Sequence, residues 1–102
     1  MKNTLHIYLE YEIKQNFQPQ YKQIMNNIVE TLPQYDAFNI QWEKSEADSN
    51  RYIERFIVPT ESHFHVLKRL RTSRRHLLFG LLDECICGGL KEINLVGLKT
   101  QL

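Results

Sequence analysis

Near its N-terminus the chain alternates between apolar and polar residues without a break. Leu5, Ile7, Leu9, Tyr11 and Ile13 fall on one face, and His6, Tyr8, Glu10 and Glu12 on the other. A repeat of two is the signature of a β-strand with one buried face. Such a strand is not stable alone. It needs partner strands for its backbone groups and a second layer for its apolar side. At 102 residues the chain has room for one domain, spanning 1–102, around one core.

The rest of the sequence supplies both. Pro19 suits the first turn of a helix, and Tyr21, Ile24, Met25, Ile28, Val29 and Leu32 follow at steps of three and four, one apolar stripe. Pro33 ends that helix, because the residue before a proline avoids the α region. Phe38, Ile40 and Trp42 alternate with Asn39, Gln41 and Glu43 as a second strand. The polar stretch Ser45 to Asn50 carries turn chemistry, and Arg51 to Val58, rich in aromatic and β-branched residues, forms a third strand. Thr60 is placed to cap a helix whose buried side holds Phe64, Leu67 and Leu70, or Leu67 with the stem of Arg71. After a break near Ser73, the residues Leu77, Leu78, Leu81, Leu82, Cys85 and Ile86 recur at helical spacing, and Gly88-Gly89 stops that second half-helix. Ile93 to Lys99, interrupted by Gly97, is the last strand.

The order strand, helix, strand, strand, broken helix, strand packs most simply as a ferredoxin-like βαββαβ unit, an α+β fold. Right-handed crossovers put the first and third strands at the centre of an antiparallel sheet with helices on one face. The other face carries Tyr8 and further apolar groups, and a second copy of the chain is its expected cover.

Three segments carry a family resemblance: Tyr11-Glu12-Ile13-Lys14 leading into a helix with Tyr21 a turn inside, Tyr52-Ile53-Glu54-Arg55-Phe56 before the second helix, and the helix break with its phenylalanine between Leu70 and Leu82. With these the chain resembles the antibiotic biosynthesis monooxygenase-like family, whose members build dimeric α+β barrels from βαββαβ subunits. The resemblance implies a homodimer and a cofactor-free monooxygenase or isomerase acting on a small aromatic molecule. The chain departs from the family where the first strand runs into Lys14-Gln15-Asn16 in place of Lys-Pro-Gly. His63 and His65 lie near the family's second-helix histidine. The tryptophan of the haem-degrading members has no counterpart in Phe64 to Leu70, so no haem or other cofactor is implied. The same architecture also hosts non-catalytic dimeric ligand-binding or protein-interaction modules.

Charge and cysteine usage narrow the setting. Net charge is +1, unlike a protein that coats nucleic acid. Residues 1–50 hold four lysines against seven acids, and residues 51–102 nine bases against five, so opposite halves can attract. Cys85 and Cys87 are too close for an unstrained disulfide and read as packing residues of a reducing compartment. With no apolar signal segment and no run long enough to span a bilayer, the expected location is cytoplasmic, without membrane or nucleic-acid partners.

The candidate catalytic groups are Glu54, His63 and His65, and the candidate pocket residues are His6, Tyr8, Trp42 and Phe56. Glu54 shares a strand face with Tyr52 and Phe56, where a carboxylate among aromatics either has a partner or moves a proton. His63 and His65 stand about 200° apart on a helix, a poor metal pair, since residues two apart are rotated by that angle. His6, Tyr8, Glu10 and Glu12 form a polar row that Glu54 and Arg55 are positioned to join. Lys68, Arg69, Arg71, Arg74 and Arg75 make one dense basic cluster, suited to a phosphate or carboxylate, or to a solvated patch at a helix end.

Overall fold

The computed structural model describes residues 4–99. Four strands, β1 (Leu5–Glu12), β2 (Phe38–Lys44), β3 (Arg51–Val58) and β4 (Asn94–Lys99), are interleaved with two helices, α1 (Gln18–Thr31) and α2 (Glu61–Arg71). The sheet runs β2-β3-β1-β4 and every pairing is antiparallel. β1 and β3 are therefore central, and both helices lie on one face, as the element order requires. No helix among the described residues is long and apolar enough to cross a membrane.

The period-two patterns decide which face is covered. Leu5, Ile7, Leu9 and Tyr11 of β1 are buried together with Tyr52, Glu54, Phe56 and Val58 of β3. Against them α1 sets Tyr21, Met25 and Ile28, and α2 sets Leu67 and Arg71. Fully burying one such aliphatic side chain contributes roughly 1.5–3 kcal/mol, so these faces hold the layers together. Pro19 lies in the first turn of α1, and the chain tightens at Pro33 into a 3-10 turn over Leu32–Tyr35. Thr60 caps α2 by accepting the His63 backbone N–H at 3.3 Å. Gly97 explains its own place in β4: a Cβ there would sit 2.7 Å from the Phe64 ring, so only glycine lets α2 pack so close to the sheet.

Two stretches depart from the sequence reading. In β2 the register slips by one residue between Phe38 and Gln41, with Asn39 at φ 54°. This β-bulge turns Phe38 onto the outer face opposite Ile57, while Trp42 stays on the inner face opposite Glu54. The second departure is the expected half-helix at Leu77–Ile86, which is a run of turns with one 3-10 segment, Phe79–Asp83. Leu77 is 93% exposed and Leu81 51%, while Phe79, Leu82, Cys85 and Ile86 are buried. The His76 ring nitrogen Nδ1 accepts the N–H groups of Leu78 and Phe79, and a side-chain acceptor competes with helix formation. Gly80 presses so closely on the Arg74 carbonyl that a Cβ would lie 2.4 Å from its oxygen.

Candidate functional site

Three places gather the polar and aromatic residues. The first is the interior between sheet and helices. Alternation aims Glu54 inward from β3, and the spacing of Leu67 and Arg71, four apart on α2, aims Arg71 at it. The Arg71 nitrogens Nη1 and Nη2 each donate to a Glu54 carboxylate oxygen at 2.7 Å, and both side chains are essentially without solvent contact. The Tyr11 hydroxyl donates to the same carboxylate. Trp42 Nε1 donates to the Tyr21 hydroxyl at 2.8 Å, and the Tyr21 and Tyr11 hydroxyls are 2.8 Å apart.

The donors orient this chain in one direction. An indole N–H can only donate, and Tyr11 spends its proton on the carboxylate, so Tyr21 donates to Tyr11. Burial, with the Glu54 charge beside them, holds the Tyr11 and Tyr21 phenols well above the ordinary range. Burial works against the charge on Arg71, but attraction to Glu54 outweighs it and raises that group. The guanidinium carbon lies 5.3 Å from the Phe79 ring centre, and the Arg71 Nε has no hydrogen-bond partner. Both Glu54 oxygens are thus engaged in a closed network. It fills the interior with the protein's own side chains.

The second place is the start of α2. His63 Nδ1 is 2.7 Å from the Thr60 hydroxyl and Nε2 is 2.9 Å from the Asp36 carboxylate. Asp36 is held there by a left-handed turn, φ 66°, that closes the 3-10 segment before β2. His63 and Asp36 line a cavity of about 300 Å³ together with Tyr35, Val66 and Leu67. A ring held at Nδ1 by a hydroxyl, which can accept from it as well as donate to it, can take and return a proton at Nε2 once the Asp36 carboxylate moves aside. His65 points elsewhere: it is exposed, 3.7 Å from Glu61. Among the described residues no group of three or more acids, cysteines and histidines is arranged to hold a metal.

The third place is the outer face of the sheet. Tyr8 donates to Glu10 at 3.0 Å, Arg51 Nε donates to Glu10 at 2.6 Å, and Arg55 lies over the Tyr8 ring while pairing with Glu43. The Arg51 and Tyr8 hydrogen bonds hold the Glu10 carboxyl below its ordinary range. A groove of about 330 Å³ runs here past His6, Tyr8, Gln41 and Arg55. Phe38, Val96 and Leu98 are exposed at 45%, 41% and 65%, and their partners in the ladder put them on this face.

The sequence candidates are therefore distributed. His6, Tyr8 and Phe56 all line the outer groove, although Phe56 is itself buried, whereas Trp42 belongs to the inner side. Arg55 joins the polar row of β1, but Glu54 faces the opposite way. Nothing in the sequence pattern pairs Arg71, Tyr11 or Tyr21 with Glu54. The available signal was a charge placed on each of two apolar faces: Glu54 among aromatics on a strand, Arg71 on the Leu67 stripe.

A four-stranded antiparallel sheet in βαββαβ order with helices on one face defines a ferredoxin-like α+β protein. No protein-family model and no curated protein sequence matches the chain. Solved structures do match. A conserved protein from Methanosarcina mazei Go1 superposes with TM-score 0.77 at 13% identity, over 98% of this chain and 95% of that one. An antibiotic biosynthesis monooxygenase gives TM-score 0.74 at 12% identity, over 96% and 99%. The protein Rv0793 of Mycobacterium tuberculosis gives 0.73 at 8%, over 98% and 97%. The chain has the fold of antibiotic biosynthesis monooxygenase structures, in line with the family the sequence resembles.

Proposed function

We propose that the chain is a small homodimeric enzyme that removes a proton from a small aromatic molecule, with His63 as the acceptor. The observation that carries this reading is the His63–Asp36 pair in the wall of a mostly apolar cavity. Its volume of about 300 Å³ is at the small end for ligand pockets and suits a single-ring compound. Thr60 fixes the ring, and a substrate hydroxyl that displaces the exposed Asp36 meets Nε2. For a phenol the balance closes without added reductant: phenol and dioxygen give a quinone and water, the phenol supplying the electrons. Reprotonation elsewhere on the ring system would make the same base an isomerase. The fold shared with an antibiotic biosynthesis monooxygenase supports this class of chemistry.

Dimerisation belongs to the same proposal. Phe38, Val96 and Leu98 on the two edge strands of the outer face, with the Arg55–Glu43 and Arg51–Glu10 ion pairs on the same face, suit a second copy that covers both apolar and charged groups. The two free thiols fit a reducing cytoplasm. A second reading, a non-catalytic ligand-binding module, is favoured by the interior, where Glu54, Arg71, Tyr11 and Tyr21 leave no room for a substrate between sheet and helices.

Oxygen uptake with a panel of small phenols and quinols separates the two. The enzyme reading expects turnover that falls by about 10² or more in His63→Asn, the usual scale for loss of a general base. Binding without turnover across the panel supports the module instead. Sedimentation of a monomer at tens of micromolar, a rough concentration that populates ordinary interfaces, argues against the dimer.

A further inference from the structure

The basic residues that crowd the sequence after Leu67 do not act as one patch. Arg71 is buried against Glu54, and Lys68 lies over the Phe64 ring. Arg74 does something else. It lines a cavity of about 660 Å³ with Lys14, Lys91, Thr72, Asp83 and the turn Gly88-Gly89-Leu90. This cavity shares no residue with the one at His63.

The three bases reach it from three segments: Lys14 directly after β1, Arg74 from the turn after α2, and Lys91 from the 3-10 turn before β4. Among the described residues none of the three forms an ion pair, in contrast to Arg51, Arg55, Arg71 and Lys99. The one acid in the lining has a structural task. Asp83 accepts the Leu90 N–H through Oδ1 at 2.9 Å, and the same oxygen would lie 2.8 Å from a Cβ on Gly89. It ties the glycine turn to the cavity wall. Three positive side chains against one negative leave the lining with an excess of two positive charges. Lys14 Nζ also lies 5.3 Å from the Phe17 ring centre, a contact that leaves its positive charge in place; like charges converging without counter-charges repel one another, and a dianion removes that cost.

We propose that this cavity binds a small phosphomonoester. A phosphate monoester carries about −1.5 to −2 charge at pH 7, which matches the excess, whereas a single carboxylate leaves it half neutralised. Arg74 supplies the planar donor pair that phosphate oxygens accept, Lys14 and Lys91 act as point charges, and the Thr72 hydroxyl adds a neutral donor. A bare phosphate fills only a small part of 660 Å³, so the remaining space belongs to an organic group.

Amide NMR titration of the full chain tests this, with glycerol 3-phosphate, inorganic phosphate and acetate compared at constant ionic strength. Saturable shifts are expected at Thr72, Gly88, Gly89 and Lys91 with glycerol 3-phosphate. Affinity should be at least tenfold weaker for acetate and at least tenfold weaker in the Arg74→Gln, Lys91→Gln double variant. Both residues are exposed, and an unchanged spectrum of the core amides verifies the variant's fold. Acetate binding as tightly, wild-type affinity in the double variant, or shifts spread equally over Lys68 and Arg69 would overturn the site. Inorganic phosphate binding as tightly as glycerol 3-phosphate would overturn the assignment to an ester.

Discussion

Replacing Glu54 by glutamine changes one atom in shape and one charge, and it tests whether the interior network is structural. In the variant Arg71 keeps its charge with no solvent contact and loses the carboxylate that accepts from both its terminal nitrogens. Removing one partner of a buried ion pair costs about 3–5 kcal/mol. A domain of this size is stable by roughly 5–15 kcal/mol, so a fifth or more of the total is at stake. At about 4–8 °C per kcal/mol for domains near this length, the melting temperature should fall by roughly 12–40 °C. Urea unfolding at fixed protein concentration, with the slope checked for constancy, measures the loss directly. A second variant, Glu54→Leu with Arg71→Met, separates charge from packing. Exchanging a buried pair for apolar residues is often neutral or stabilising by about 1–4 kcal/mol. It also removes the unpartnered Arg71 Nε. Against this, the Tyr11 hydroxyl loses its acceptor, at about 1–3 kcal/mol. The double variant should therefore lie near wild type. A loss under about 1 kcal/mol in Glu54→Gln, a value typical of an ordinary hydrogen bond, would refute this reasoning, and so would a double variant as unstable as the single one.

Two further outcomes follow from the packing and from the outer face. Gly97→Val should destabilise by about 1–3 kcal/mol, the usual range for overpacking, because its Cβ meets the Phe64 ring; thermal melts of Gly97→Val alone and with Phe64→Leu, which should recover part of the loss, measure it. The Arg51 and Tyr8 hydrogen bonds hold the Glu10 carboxyl below its ordinary range in the folded chain, so its contribution is present above the unfolded value and fades as pH falls through the folded one. Glu10→Gln should cost about 0.2–1 kcal/mol near pH 7, as partly exposed pairs do, and the difference from wild type should shrink as acidification protonates the carboxyl; a difference that grew on acidification would contradict the assignment.

Much of the architecture was legible because local periodicity and burial coincide. The alternation of β1, the stripe of α1 and the Thr60 cap each reflect one residue pattern meeting one physical requirement. The bulge at Asn39 was not legible, since Phe38, Ile40 and Trp42 alternate as they would in a regular strand. The stretch from Leu77 misled for the opposite reason: leucines at helical spacing are also compatible with turns when half of them face solvent, and the His76 ring had no visible claim on the Leu78 and Phe79 amides. At the candidate sites the residue types were visible but their pairings were not. Arg71 looked like one base among several. Its role depends on how α2 crosses β3, a tertiary fact with no local period.

The bulge at Asn39 also divides β2 into two mutational territories. Phe38, before it, looks out over the sheet opposite Ile57, whereas Trp42, after it, holds the Tyr21 hydroxyl inside. In a regular strand two aromatics at even spacing share a face, so a change at one is felt at the other. Here they lie on opposite faces of the sheet, and residues that pack on separate faces tend to contribute independently. The outer end of β2 can therefore vary with whatever the sheet face must recognise, while the tyrosine network behind it stays as it is.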